Sequence, residues 1–305
     1  MSKEKKEETS AEVKEEQTQP SADKKDGKKS KRASRLFLAV VVLFLVWWFN
    51  NLTLRTSNFT VYSDEINESI RIAVISDLHA SENGISNERI VKRIENSAPD
   101  AVFILGDMYS RDSEWELMEI PVKLVEELSQ KGYAVYFVTG EHDTSQLYID
   151  AVSNAGAKVM DYKSEIVNIK GNNIEILGID NVYFSPTFDL NNAFTLTPDC
   201  YSILMAHIPN YEAYASFGAD LTICGDTHGG IIQLPFGKGP AYYGETGEWF
   251  PEISGERADV FDKGMFPYNG GAMFITSGIG NYPVPARFGN RPEVAIIDIK
   301  SAEKE

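Results

Sequence analysis

The chain has 305 residues and a formal net charge of −16, and its length exceeds that of one average domain. The first 35 residues carry eleven Lys or Arg and eight Asp or Glu, so the acidic excess belongs to the rest of the chain. Because an acidic surface repels polyanions, the composition argues against nucleic acid as a partner, and none is expected.

Residues 1–35 contain no aromatic residue, no Leu and no Ile. A segment with so little apolar surface to bury is predicted to be a disordered, charged tail on the cytoplasmic side. Residues 36–54 are predicted to form a transmembrane anchor, and residues 55–305 a single large domain. The two cysteines, Cys200 and Cys224, form no metal-binding spacing and are predicted to be buried in or beside strands.

The segment Leu36–Phe49 is an unbroken run of 14 apolar residues, and basic residues precede it. Extension through residue 54 gives the length that a bilayer span needs. The basic cluster favours an N-terminus inside the cytoplasmic membrane and a C-terminal domain outside it. Two alternatives remain, a cleaved signal peptide and a buried helix. No small-residue cleavage site follows the Trp pair, and the polar stretch Asn50–Asn58 is expected to separate the run from the core.

Beyond residue 60, short apolar runs alternate with amphipathic segments, a pattern typical of βαβ architecture and an α/β fold. Helices are predicted near Ser86–Asn96, at Pro121–Lys131 with proline in the first turn, and near Gln146–Ala155. Strands are predicted at Arg71–Ile75, Ala101–Leu105, Ala134–Val138, Glu165–Ile169, Ile174–Gly178, Ser202–Met205, Leu221–Cys224, Ala272–Thr276 and Val294–Ile299.

Five of these strands run directly into polar clusters, which read SDLH, GD, GEHD, AH and GDTHGG in chain order. The chain has four histidines, and all of them stand in these clusters. Open α/β sheets bind ligands at the carboxyl ends of their strands. A mixture of His and carboxylate ligands suits Mn, Fe or Zn and also tolerates Mg. The clusters therefore predict a metal site.

In order and spacing, the clusters resemble the motifs D-x-H, G-D, G-N-H-[DE], H and G-H-x-H of the calcineurin-like metallophosphoesterases. The resemblance covers roughly residues 71–299. The segments GGIIQLP and SGIGNYPVPARFGNRPE are further similar to the membrane-associated bacterial branch of that family. The resemblance implies a two-sheet α/β sandwich, preceded here by the disordered tail and one transmembrane helix.

The resemblance also implies roles for individual residues. The first metal would be bound by Asp77, His79, Asp107 and His228, and Asp107 would bridge to a second metal bound by Glu141, His207 and Asp226. His142 would act as general acid, helped by Asp143 or another nearby carboxylate. Arg111 falls where many relatives place a phosphate-binding arginine, although a solvated loop residue remains the alternative reading.

The chain departs from the family pattern at two positions, with Glu141 in place of Asn and Asp226 in place of His. Both residues still offer ligand oxygens, but four ligand carboxylates nominally neutralise two divalent ions. A harder ion is therefore expected at the second site. We expect two divalent metal ions, with Mn favoured and Fe, Mg or Zn as alternatives.

These features predict a metal-dependent phosphoester hydrolase, either a phosphodiesterase or a pyrophosphatase. Its expected substrate is an envelope lipid or a wall-associated, lipid-linked compound. The alternative is a non-catalytic, metal-containing binding module with a degenerate second metal site. Aromatic residues at 241–243 and 248–250 fit either an apolar groove or ordinary packing.

Overall fold

The computed structural model describes residues 22–80, 85–180, 189–237, 239–243, 247–251, 260–282 and 285–302. It divides into two units, Met1–Leu45 and Val46–Glu305. Residues 1–21 of the predicted tail lie outside the described part. Helix α1 begins at Ala22 and ends at Leu52. Its segment Lys31–Leu52, with a mean hydropathy of 1.9, is long and apolar enough to cross a membrane, a property that signal sequences share.

In the described residues of the larger unit there are five further α-helices, which are α2 (Asn87–Ser97), α3 (Trp115–Gln130), α4 (Gln146–Asn154), α5 (Leu190–Ala193) and α6 (Tyr211–Phe217). Its described strands, in chain order, are β1 (Arg55–Ser63), β2 (Ile70–Ile75), β3 (Ala101–Ile104), β4 (Ala134–Phe137), β5 (Ala157–Val159), β6 (Lys163–Ile169), β7 (Asn172–Gly178), β8 (Tyr201–Met205), β9 (Leu221–Cys224), β10 (Tyr242–Tyr243), β11 (Glu248–Trp249), β12 (Gly264–Tyr268), β13 (Gly271–Ile275) and β14 (Glu293–Ser301).

Two six-stranded sheets form the framework of this unit. The first has the order β1-β14-β2-β3-β4-β5, and the second has the order β12-β13-β9-β8-β7-β6. Apolar side chains from both sheets, such as Phe103 and Phe274, share one buried cluster between them. Helices α2, α3 and α4 cover the outer face of the first sheet, and α6 covers the second. The predicted α/β sandwich of two sheets is confirmed.

The predicted strands lie within two residues of the observed ones, and Cys200 and Cys224 are buried and free. Helix α3 is different, because it begins at Trp115 and contains Pro121 in its interior. The prediction of a helix that starts at Pro121 is therefore wrong. Proline removes one backbone hydrogen bond from a helix interior, but Leu117 and Met118 in the preceding turn pack against the apolar core. That packing offsets the lost bond.

The polar stretch Asn50–Asn58, which begins in the last turn of α1, does not separate the apolar run from the core. Asn51 is fully buried, and Leu54 belongs to a core cluster. Strand β1, which the sequence analysis did not predict, starts at Arg55 and pairs in parallel with β14 along its whole length. The end of the apolar helix is thus continuous with a sheet strand and is fixed to the domain by hydrogen bonds described below.

Candidate metal centre

The fold brings all five polar clusters to one edge of the sandwich. They follow β2, β3 and β4 of the first sheet and β8 and β9 of the second, where these strands end. Each strand is buried along most of its length, so the backbone of each cluster starts from a fixed point. Of the predicted metal ligands, those whose donor atoms meet there are Asp77, His79, Asp107, His207 and His228. Glu141 and Asp226 lie beside them and belong to none of these donor groups.

The donor atoms of the buried members lie close together. Three groups, each with donor atoms within 4.8 Å of one another, are Asp77–His79–His228, His79–Asp107–His142 and Asp77–Asp107–His207. The Nε2 atoms of His79 and His228 are 3.1 Å apart. Two imidazole nitrogens that bind the same ion, each at about 2.0–2.1 Å, lie at a similar distance from each other. The positions of His79 and His228 therefore suit a shared ion.

Asp107 lies at the centre of this arrangement. Its Oδ2 atom is 3.3 Å from His207 Nε2, 3.8 Å from His142 Nε2 and 3.9 Å from His79 Nε2. Its other oxygen, Oδ1, accepts a hydrogen bond of 2.8 Å from the backbone N–H of His142. One carboxylate oxygen therefore faces imidazoles from three different strand ends, while the other oxygen holds the carboxylate in place.

Glu141 and Asp226, the two departures from the family pattern, lie at the rim. Their side chains are 48% and 35% exposed, whereas Asp77 and Asp107 are buried. Asp226 Oδ1 is 3.8 Å from His207 Nε2, and Glu141 Oε1 is 3.5 Å from His142 Nε2. The structure thus brings both residues to the edge of the cluster. Water screens the charge of the half-exposed Glu141, whereas burial raises the pKa of Asp226.

Five of the seven predicted ligands adopt a left-handed backbone conformation. The φ angles are 52° at Asp77, 47° at His79, 51° at Asp107, 68° at Asp226 and 48° at His228. Residues other than glycine rarely adopt this conformation, which costs free energy and concentrates at functional sites. The strained backbone positions are therefore those that bring the predicted metal ligands together.

Two glycines allow the loops after β3 and β4 to approach each other. Gly106 has a φ of 87°, and a Cβ atom there would overlap the backbone of Gly140. A Cβ atom at Gly140 would in turn overlap the carboxylate of Asp107. Both glycines of the G-D and G-E-H-D clusters are therefore required by the close contact that places Asp107 beside His142.

The donor set fits divalent cations. Asp77 Oδ2 and His207 Nε2 are buried and form no hydrogen bond with other described residues. Burial, together with the nearby charges of Asp107 and Asp226, raises the pKa of Asp77 to about 7. Buried carboxylates with lone pairs that have no hydrogen-bond donor need a cation to remain ionised.

The imidazoles are suited to the same role. Burial lowers the pKa of His79 to about 4 and holds the pKa of His228 well below its usual range. Burial opposes protonation of His207 as well, but the adjacent Asp107 carboxylate outweighs it and raises the pKa of His207. Neutral His79 and His228 keep the lone pairs that a metal ion needs. At His207, a bound cation would replace the proton.

Arg111, His142 and Asp143, the three residues that were predicted to act on the substrate, form hydrogen bonds with the loops of the site. The backbone N–H of Arg111 donates to His142 Nδ1 at 2.9 Å, and its guanidinium donates to the carbonyl of Glu141 at 2.9 Å. Asp143 accepts backbone N–H groups from Asp107, Met108 and Gly140 at 2.6, 3.2 and 3.0 Å. In these contacts, Asp143 holds the loop that carries Asp107, and Arg111 orients His142.

His142 is held in one tautomer by these contacts. Because Nδ1 accepts a hydrogen bond from Arg111, the imidazole proton resides on Nε2. His142 contributes to the lining of a cleft that also contains His79 and Asp107. A proton on Nε2 is therefore available to a group bound in that cleft.

Two residues of the candidate site were not predicted from the sequence. The ring of Tyr282 stacks on His79, with centroids 4.4 Å apart, and meets the His142 ring edge-on at 5.1 Å. Arg287 is buried behind His228 and donates to the carbonyls of Ser277 and Gly280 at 2.8 and 2.6 Å. Both lie in SGIGNYPVPARFGNRPE, the segment that carried part of the family resemblance. That resemblance was the feature of the sequence from which their role in the site could have been predicted.

Arg287 connects the metal centre with the end of helix α1. Its guanidinium lies 3.3 Å from His228 Nδ1, and its backbone N–H and carbonyl both bond to the side chain of Asn51, at 2.9 and 3.0 Å. The backbone carbonyl of Asn51 accepts a further bond of 3.0 Å from Asn281. Asn51, the next-to-last residue of the helix, therefore fixes the loop that supports His228.

We expect Asn51→Ala to lower the free energy of unfolding by about 1–3 kcal/mol, because it leaves buried backbone groups of Arg287 unpaired. A weaker affinity for Mn should accompany this loss, since Arg287 supports His228. Thermal unfolding with and without Mn, combined with isothermal titration calorimetry, measures both effects. Asn58→Ala, on an exposed position of β1, is the matched control. Equal Mn affinity in Asn51→Ala and wild type would contradict the link.

The donor cluster forms the floor of a cleft of about 700 Å³. Its walls are mostly apolar, and they include aromatic side chains from the strand pair β10–β11 and from the loop that carries Tyr282. The apolar lining residues are Ile208, Pro209, Ile231, Ile232, Ala241, Tyr242, Tyr243, Trp249, Phe261, Tyr282 and Ala286. Both aromatic stretches thus contribute to a groove beside the metal centre.

The calcineurin-like phosphoesterase family model matches residues 70–230. The chain is 24% identical over 243 residues to the metallophosphoesterase YkuE of Bacillus subtilis (strain 168), which covers 77% of this chain and 80% of YkuE. It is 24% identical over 261 residues to a transmembrane protein with metallophosphoesterase domain from Bos taurus, which covers 77% of this chain and 54% of that protein.

Among solved structures, TT1561 of Thermus thermophilus aligns with a TM-score of 0.42 and 12% identity, over 52% of this chain and 82% of that chain. The match to the family model spans more than half of the 305 residues and includes every predicted metal ligand. The resemblance inferred from the five motifs is confirmed. The chain belongs to the calcineurin-like phosphoesterase family and is, in general terms, a phosphoester hydrolase.

Proposed function

We propose that the protein is a dinuclear metallophosphoesterase, anchored in the cytoplasmic membrane, that hydrolyses a phosphodiester or pyrophosphate with an apolar tail. The observation that carries this proposal is the position of the metal donors at the floor of an apolar cleft. A phosphate group fits the floor, and hydrocarbon fits the walls. Envelope lipids and lipid-linked wall precursors combine these two chemistries.

Two ions are proposed because the donors divide around Asp107. One set comprises Asp77, His79 and His228. The other has His207 with Asp226 beside it, and Glu141 lies at the rim next to His142. The Oδ2 atom of Asp107 lies between the two sets, as the contacts to His79 and His207 support. Carboxylates outnumber imidazoles in the second set, which favours Mn or Mg over Zn.

Divalent ions bound there would supply Lewis-acid stabilisation of phosphoryl charge and would lower the pKa of water. His142 donates the proton on Nε2 to the oxygen that leaves phosphorus, a role worth roughly 10²–10⁴-fold in rate. Arg111 and Asp143 keep His142 and Asp107 in position through the backbone contacts described above. The apolar walls hold the tail and exclude bulk water, while one water molecule supplies the oxygen that replaces the leaving oxygen on phosphorus.

The apolar helix and the basic residues that precede it support the proposed location. The helix Lys31–Leu52 has the length of a membrane span. The basic cluster before it favours a cytoplasmic N-terminus and a catalytic domain on the outer side. Nothing in the acidic chain favours nucleic acid as a substrate.

A pair of substrates that differ only in the apolar tail tests the proposal. The full chain, purified in detergent, is assayed with farnesyl pyrophosphate and with methyl pyrophosphate after addition of Mn, Mg or Zn. We expect metal-dependent turnover and a kcat/KM at least about tenfold higher for the farnesyl compound. Each buried CH₂ contributes about 0.8 kcal/mol, so even partial burial of the tail gives this ratio.

The remaining outcomes separate the parts of the proposal. Equal kcat/KM values for the two compounds would contradict the apolar substrate class and leave hydrolysis intact. Tight metal binding without turnover on either pyrophosphate, or on the diester bis(p-nitrophenyl) phosphate, would favour the non-catalytic binding module. Glu141→Asn and Asp226→His, which restore the family pattern, would then be the variants to test for recovered activity.

A further inference from the structure

We infer that an apolar patch at the mouth of the cleft docks on the lipid leaflet next to the helix end, an inference that rests on the proposed membrane-bound function. The patch, here called the rim patch, consists of Ile232, Phe236, Tyr242, Trp249, Phe250 and Phe288. Its occupant is the head-group and upper acyl-chain region of a bilayer.

The exposure of these side chains is unusual for this molecule. Among the described residues beyond Leu52, eleven large apolar side chains are exposed, and seven of them belong to residues 232–288. Phe236 is 97% exposed, Trp249 68% and Phe250 64%. Exposed apolar side chains that occur singly are normal, whereas a contiguous group marks an interaction surface.

The residues of the rim patch are joined to one another by contacts between aromatic rings and by backbone hydrogen bonds. The ring centroids of Tyr242 and Trp249 are 5.1 Å apart, and those of Trp249 and Phe250 are 6.2 Å apart. Ile232 forms a β-bridge with Phe288, and the backbone N–H of Ala241 donates to the Ile232 carbonyl at 2.8 Å. Phe236 lies in the turn that a second bridge, between residues 233 and 240, closes.

The patch is also connected to the end of the apolar helix. Gly289, next to Phe288, donates its backbone N–H to Asn50 Oδ1 at 2.8 Å. One turn earlier, Trp47 Nε1 donates to the carbonyl of Pro285 at 2.8 Å, and Phe49 packs under the guanidinium of Arg291 at 4.3 Å. The loop that contributes Phe288 to the rim patch is therefore bound to the last turns of α1.

This connection identifies the occupant. Trp and Tyr concentrate at membrane–water interfaces, where one end of the side chain is apolar and the other polar. The last turns of α1 contain Trp47 and Trp48, and the rim patch adds Trp249 and Tyr242. A surface held by hydrogen bonds to the interfacial end of a membrane helix meets the leaflet before it meets another protein.

The docked position has a consequence for substrate access. Ile232, Tyr242 and Trp249 belong both to the rim patch and to the lining of the cleft. A substrate with an apolar tail would thus pass from the leaflet to the metal donors along apolar side chains. Its tail would not have to enter water, which costs free energy in proportion to its area.

Tryptophan fluorescence in vesicles tests the docking directly, because the chain has four tryptophans, Trp47, Trp48, Trp115 and Trp249. The full chain is reconstituted in phosphatidylcholine vesicles with either ordinary or dibrominated acyl chains, since bromine quenches only tryptophans that enter the bilayer. The emission of Trp249 is the difference between wild type and Trp249→Phe. Trp115→Phe gives the same difference for Trp115 in helix α3, and Trp47→Phe gives a value for the anchor.

We expect the brominated lipid to reduce the Trp249 emission by more than about half, as it does for Trp47, and to leave the Trp115 emission unchanged. A Trp249 emission that bromine does not quench would overturn the docking. Quenching that appears only at high protein density in the vesicles would also overturn it, because the patch would then bind a second copy. The measurement needs no turnover, so it stands even if the proposed activity fails.

A kinetic comparison provides an independent readout. Phe236 and Phe250 belong to the patch but do not line the cleft, so the double variant Phe236→Ser/Phe250→Ser should retain turnover of bis(p-nitrophenyl) phosphate. We expect its turnover of farnesyl pyrophosphate embedded in vesicles to fall about tenfold. Leu147→Ser, at an exposed apolar residue outside the patch, is the control. An equal loss for both substrates, or for neither, would contradict the inference.

Discussion

Replacement of Asp107 by Asn lowers the affinity for Mn and reduces turnover by about 10²–10³-fold or more, the scale on which a single electrostatic contact at a reaction centre acts. The carboxylate faces three imidazoles with one oxygen, while the other accepts the His142 backbone N–H. Asparagine keeps the second contact through its carbonyl oxygen and removes the charge. The variant should therefore fold and lose cation binding.

Isothermal titration calorimetry with Mn, together with kcat on bis(p-nitrophenyl) phosphate, measures both effects. Asp112→Asn removes a carboxylate at an exposed position five residues further along the chain, and it should leave both values unchanged. Wild-type metal affinity and turnover in Asp107→Asn would show that the central carboxylate holds no ion.

Replacement of His142 by Ala should reduce turnover by roughly 10²–10⁴-fold, the usual contribution of a general acid, while the amount of bound metal stays near that of the wild type. The reason is the tautomer, since Arg111 occupies Nδ1 and leaves the proton on Nε2. The loss should be larger for an alkyl diester than for a p-nitrophenyl diester. A poor leaving group depends more strongly on protonation.

Metal analysis of the purified variant distinguishes this role from ligation. His142 belongs to one of the three donor groups, with His79 and Asp107, so geometry alone is compatible with both roles. A parallel loss of metal and turnover, with the same ratio for both leaving groups, would identify His142 as a ligand. Wild-type metal content, together with a loss of turnover that is larger for the poorer leaving group, would support His142 as the general acid.

The strand ends, and with them the site, were predictable from the sequence. Apolar runs of four to six residues form strands, and each ran into Asp, Glu or His, so the convergence of His79, His142, His207 and His228 followed from parallel strand geometry. The exposures of Glu141 and Asp226 were not predictable. Both were predicted to bind the second metal, but their side chains are 48% and 35% exposed and lie at the rim.

The part of the site that comes from the loop after β13 was not predictable. Tyr282 and Arg287 lie in a segment without helical or strand periodicity, and the histidines that they contact, His79 and His228, are more than fifty residues away in sequence. Asn51 was read as part of a polar spacer, because a sequence pattern shows that a residue is polar but not that it is paired. Its burial depends on the tertiary contact with Arg287.

The rim position of the two exchanged carboxylates bears on the charge of the centre. Four carboxylates in a dry site would neutralise two divalent ions and weaken the attraction for phosphate. Glu141 is 48% exposed, so solvent screens its charge, and a centre with two divalent ions would keep more positive potential toward an anionic substrate than four buried carboxylates would allow. The exchanges are thus compatible with an active enzyme.

The most direct test of the dinuclear account is a count of bound ions against activity. The full chain is stripped of metal, titrated with Mn and analysed by inductively coupled plasma mass spectrometry, and turnover of bis(p-nitrophenyl) phosphate is recorded at each occupancy. A dinuclear centre requires a final content near two ions per chain and turnover that rises with the second ion. Saturation at one ion or none, without turnover at any occupancy, would contradict it.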